Sequence, residues 1–137
     1  MGRGSNLLLD IMLIQALAAR RQERIRQVFP THLRAEFPEY ASELSNEVAQ
    51  QIFDGFLTLN ELQSQVHRAS RWRRFFGGSM SRKEVLLQRA FDEAEREFMS
   101  NLQGLAPRFH TWVANSNDGL SSKRWERIVE SVRAQLG

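Results

Sequence analysis

The chain has 137 residues, 42% of them hydrophobic and 26% charged, with three prolines in all, a composition that suits one ordered domain over 1–137 and excludes a low-complexity chain. There is no cysteine, which excludes disulfides, thiolate metal ligands and thiol catalysis. The net charge is only +3, yet the basic side is 17 Arg and 2 Lys, and a guanidinium binds phosphate bidentately and stacks on flat rings where an ammonium does neither.

Residues 7–19, LLLDIMLIQALAA, follow Arg3 and resemble a secretory leader, but Asp10 interrupts the run and Gln15 lies near its end. The run is far short of the ~20 residues that span a bilayer. It reads instead as the first half of a core helix over 6–29 that Pro30 should stop, with Leu7, Ile11, Ile14, Ala18, Ile25 and Val28 at helical spacing. Leu8, Leu9, Met12 and Leu13 add a second stripe, so this half is apolar nearly all round and suits docking on a partner or a second copy. Its second half, RRQERIR, places cations where the helix dipole favours them. Residues 31–37, bounded by Pro30 and Pro38, are expected to form a short turn of helix or a loop.

A second helix is expected from Pro38 to Asp54, with Tyr40, Leu44, Val48, Ile52 and Phe53 inward, ended or kinked by Gly55. Thr58 to Glu61 fits the capping box S/T-x-x-E, so a third helix should start there and run through Leu62, Val66 and Ala69 to about Phe76. Gly77 to Met80 breaks it. Ser81 to Glu84 repeats the box at the head of a fourth helix, 82 to about 103, whose core stripe is Leu87, Phe91, Ala94, Phe98 and Leu102. Pro107 can open a short helix carrying Phe109, Trp112 and Val113, and residues 115–119 form a turn by composition. A last helix, 122–136, has Ser121 as its N-cap and Leu120 and Trp125 at staple spacing. No segment sustains period-two alternation, so the fold expected is all-α: a compact bundle of five or six helices with short loops, including an antiparallel hairpin over about 59–103.

That hairpin carries the clearest functional signal. A short Gly-Gly turn returns the chain antiparallel, gathering Arg68, Arg71, Arg73, Arg74, Arg82, Lys83 and Arg89 at one end against a single acid, Glu84, a local excess of seven minus one, or +6. Such a patch attracts phosphates by counterion release. Trp72, Phe75 and Phe76 would add base stacking if exposed, but Ala69, Trp72 and Phe76 continue the Leu62 and Val66 stripe, which places these aromatics in the core. The competing reading of Arg68, Arg71 and Arg74 is an ordinary solvated face at a helix C-terminus. Glu36, Glu39, Glu43 or Glu47 packing across the bundle would neutralise the patch. A second basic cluster, KRWER at 123–127, either extends it or simply alternates with Glu126 and Glu130 on an amphipathic helix.

His32, His67 and His110 form no metal or nucleophile spacing, there is no Glu-x-x-His pair, and the GGS at 77–79 lacks the G-K-[ST] of a phosphate loop. No catalytic residue, metal or cofactor is expected, nor is a membrane partner. In size, helix content and basic patches the chain resembles the small subunits of CRISPR effector complexes, helical bundles that hold nucleic acid on an arginine-rich face. That resemblance rests on architecture and transfers no individual residue. The function expected is a non-catalytic, cytoplasmic helical subunit that binds an RNA or single-stranded DNA backbone within a larger nucleoprotein complex. The alternative is a protein-interaction module, an assembly chaperone or adaptor docking through Leu8, Leu9, Met12 and Leu13.

Overall fold

The structure, a computed structural model, describes residues 22–78, 81–116 and 119–137, with the backbone alone at 76 and 119–122. Leu8, Leu9, Met12 and Leu13, and with them the apolar docking face, lie outside the described residues. Among the described residues five α-helices follow one another: α1 (Gln22–Glu36), α2 (Asn46–Phe76), α3 (Arg82–Leu105), α4 (Pro107–Asn115) and α5 (Gly119–Leu136), with a short 3-10 turn at Pro38–Tyr40. Among the described residues there is no strand, and the bundle is all-α as expected.

Helices α1 and α2 run antiparallel. Arg26 pairs with Asp54 at 2.9 Å, the Phe29 and Phe53 rings lie 5.2 Å apart, and Arg34 donates to the Leu44 carbonyl at 2.9 Å. Helix α5 packs on α1 and α4 on α3. Between them lies an aromatic core in which the fully buried Trp125 sits 5.6 Å from Phe37 and 5.3 Å from Phe56, while Phe37 meets Phe109 edge-on at 5.1 Å. The fully buried apolar residues of α2 and α3, Ala49, Ile52, Phe53, Phe56, Leu59 and Leu102, all lie at the base of the hairpin those helices form.

Four sequence expectations need correction. Pro30 does not stop its helix, because α1 passes through it to Glu36, so that 31–36 continue that helix and are not a separate turn of helix or loop. Proline has no N–H to give the Arg26 carbonyl one turn back; Gln50 Nε2, from α2, donates to that carbonyl instead at 3.5 Å. The second and third expected helices are one helix of 31 residues, begun by Ser45, whose hydroxyl accepts from Val48 N at 3.2 Å. Thr58 is therefore not a cap; it donates to the Asp54 carbonyl at 3.2 Å, the back-bond of a hydroxyl inside a helix. Helix α3 ends at Leu105, close to the expected bound, whereas Ser121 lies within α5 and does not cap it.

Gly55 sits inside α2 for a packing reason. A Cβ there would stand 2.7 Å from Cε1 of Phe98 and closer still to Cδ1, and the Phe98 ring itself lies 5.0 Å from that of Phe56. Gly55→Ala gains about 1 kcal/mol of helix propensity but overpacks the contact, typically by about 1–3 kcal/mol, so a net loss is expected. In a Phe98→Leu background the same substitution should turn neutral or stabilising. Urea denaturation of the four chains measures this, and an equal effect in both backgrounds would show that Phe98 is not the cause.

Carboxylates at the end of α1 and in the segment joining it to α2 hold α4 and α5. Helix α4 starts at Pro107 with Ala106, which offers no side-chain acceptor, in the N-cap position. Glu43 fills that role from across the chain, accepting from Arg108 N at 3.1 and 3.2 Å and Phe109 N at 3.0 Å. Glu36 and Glu39 grip α5: Arg127 donates to Glu36 at 2.7 Å, and Arg124 donates to Glu39 at 2.9 Å and to the Glu36 carbonyl while its guanidinium lies over the Phe37 ring.

The hydrogen bond from Arg124 holds the Glu39 carboxyl below its ordinary value of 4.5. A carboxyl depressed in the folded state stabilises above its unfolded pKa and loses that contribution as pH falls through the folded one. Glu95 runs the other way. Burial, and then the nearby Asp92 charge, raise its carboxyl above 4.5, so its contribution is present at low pH and fades as pH rises. Unfolding followed from neutral pH into acid should therefore show Glu95→Gln removing the rise of stability above 4.5 and Glu39→Gln flattening the acid loss below it. Unchanged slopes in both variants would contradict these assignments.

Candidate nucleic-acid interface

The site is built on the hairpin of α2 and α3. Gly77 and Gly78 have φ of +77° and +96°, the left-handed region that a side chain disfavours, and the chain turns there. The helices return antiparallel as expected, with Gly55 against Phe98 at the base and Arg73 against Glu84 at the tip. Ser81 caps α3 by accepting from Glu84 N at 3.1 Å. Only this half of the expected capping box forms, since the Glu84 carboxylate turns away to accept from Arg73 Nε at 3.0 and 3.1 Å.

That ion pair sorts the seven cations. Arg73 is matched by Glu84, itself only 3% exposed, and drops out of the free patch. Arg68, Arg71, Arg74, Arg82, Lys83 and Arg89 are exposed, and among the described residues no carboxylate comes within salt-bridge distance, 4.0 Å, of any of them. Three of the four acids that would have neutralised them across the bundle are engaged elsewhere, Glu36 and Glu39 with α5 and Glu43 with α4, and Glu47 stands in the first turn of α2, at the opposite end of that helix from the cations. For the same reason KRWER does not extend the patch, because Arg124 and Arg127 are held by Glu36 and Glu39.

The patch is also divided. Taking the Arg73–Glu84 contact as the direction in which α2 and α3 face each other, a helical step of about 100° per residue places Arg68 and Arg71 on the far side of α2. It places Arg82 and Arg89 on the far side of α3. The cations therefore surround the end of the hairpin instead of converging on a single face.

The same geometry corrects the reading of Trp72 and Phe75 as core, while the Phe76 side chain lies outside what the structure describes. Trp72 is one residue from Arg73, so it points about 100° away from α3, and it is 65% exposed; Phe75 is 82% exposed. With Arg68 and Arg71 they line an open concavity of about 380 Å³. The signal for this was available as the spacing 68, 71, 72, 75, one face of a helix; what the sequence lacked was the Arg73–Glu84 contact that fixes which face looks outward.

Helix-dipole electrostatics account for only part of the arrangement. Arg73 and Arg74 occupy the last turn of α2, where cations are favoured. Arg82 and Lys83 occupy the first turn of α3, where each is disfavoured by about 0.3–1 kcal/mol. Their position is thus a cost to the fold.

Glu84→Ala should loosen the tip by about 1–3 kcal/mol, since it removes the partner of a half-buried guanidinium and leaves Arg73 among like charges. Hydrogen exchange should quicken at 73–90 with little change in α5, and uniform quickening along the chain would contradict a local clasp.

Among the described residues no group of His, Cys, Asp and Glu could hold a metal ion, and no helix is long and apolar enough to cross a membrane. No protein-family model, curated protein or solved structure matches this chain.

Proposed function

We propose that this protein is a non-catalytic helical subunit that binds the phosphate backbone of nucleic acid, RNA or single-stranded DNA, at the end of its α2–α3 hairpin, within a larger cytoplasmic nucleoprotein assembly. The observation that carries the reading is the six exposed cations at that end, which have no carboxylate partner among the described residues, while acids elsewhere in the bundle are spent on capping α4 and gripping α5. Two of the six stand where the dipole of α3 opposes them, a placement that a polyanion would reverse into a gain. Arginine is the cation at five of the six positions, which favours bidentate phosphate contact.

Fluorescence anisotropy with labelled single- and double-stranded DNA and RNA at two salt concentrations tests this. If about four phosphates are neutralised, log K against log salt should fall with a slope of about −3 on single strands. Absence of binding at low salt, or binding that salt does not weaken, would remove the proposal.

A further inference from the structure

Resting on that reading, we infer that the concavity lined by Arg68, Arg71, Trp72 and Phe75 receives an unpaired nucleobase, so that the protein selects single-stranded over duplex nucleic acid. The four residues recur at helical spacing on the face of α2 turned away from α3, two guanidinium groups beside two rings. A rise of 1.5 Å per residue sets Trp72 and Phe75 about 4.5 Å apart along the axis. The concavity, about 380 Å³, is open to solvent, as a platform on which a base stacks must be. Trp72 and Phe75 are 65% and 82% exposed, so a flat group reaches them without displacing the α2–α3 contact.

Charge identifies the occupant. Both polar residues of the lining are arginines, and Arg74 stands beside them without a carboxylate within salt-bridge distance among the described residues, so an occupant must bring negative charge together with flat apolar surface. Single-stranded nucleic acid supplies both, its phosphates for the guanidinium groups and its bases for the rings. In a duplex the base faces are already stacked and the same rings find nothing to cover. The backbone contact proposed above is indifferent to pairing, whereas this one is not.

The test uses the full chain and labelled oligothymidylate, its duplex with oligoadenylate, and polyglutamate as an acidic polypeptide. Wild type should bind the single strand more tightly than the duplex. Trp72→Ala and Phe75→Ala should each weaken single-strand binding about tenfold or more, leave duplex affinity and the salt slope unchanged, and Trp72→Phe should restore most of the loss. Circular dichroism and melting of each variant confirm that the fold is intact. Equal weakening on both nucleic acids, or no weakening on either, would overturn the base site while leaving the backbone reading standing. Failure of wild type to bind any nucleic acid would overturn both, and binding of polyglutamate alone would assign the face to a protein.

Discussion

Trp125→Ala is expected to remove about 3–5 kcal/mol of stability, a large share of the 5–15 kcal/mol by which a domain of this kind is folded. Trp125 is fully buried and stands between Phe37, which follows α1, and Phe56 of α2, so its removal opens a hole where three elements meet and no single helix shift closes it. Trp125→Phe should cost much less than truncation. Among the described residues the buried indole Nε1 has no hydrogen-bond partner, and a ring without that donor loses area while shedding an unsatisfied group worth about 1–3 kcal/mol. Chemical denaturation of the two variants measures the difference, and equal losses would show that the indole N–H is not a burden.

The second large effect concerns binding. Arg71→Glu combined with Arg74→Glu changes four units of charge at the end of the hairpin and should weaken single-strand binding by at least about tenfold, lowering the salt slope by about 0.7 for each phosphate that is no longer neutralised. Both residues are exposed and unpaired by carboxylates among the described residues, so the fold should survive. Arg133→Glu, an exposed position on α5, changes net charge without touching the hairpin and serves as the control. If Arg133→Glu weakens binding as much per charge as the pair does, the attraction belongs to overall charge and not to the hairpin.

Local signals and tertiary contacts divided the legibility of this chain. The Gly-Gly turn, the Ser81 cap and Pro107 at the head of α4 could be read directly, because each acts within a few residues of itself. The misreadings at Pro30 and Gly55 share one cause: each is a local helix breaker overridden by a neighbour distant in sequence, and Thr58 follows from Gly55, since a helix that passes through residue 55 leaves no start for Thr58 to cap. Gln50 takes the carbonyl that Pro30 leaves open, and Phe98 fills the space that Gly55 lacks. At the site, the clustering of cations was legible from their positions along the hairpin, but their pairing was not. That Glu84 would take Arg73, and that Glu36 and Glu39 would be claimed by α5, depends on contacts 11 to 91 residues apart. The exposure of Trp72 follows from the same contact, since the apolar stripe of α2 drifts round the helix and only Arg73 shows where it leaves α3.

The most direct measurement is a map of backbone amide shifts on the isotope-labelled full chain titrated with oligothymidylate. Perturbations concentrated in 67–89, growing at low salt and fading at high salt, are the predicted result. Perturbations centred on α1, α4 or α5, or none at any salt concentration, would contradict the account.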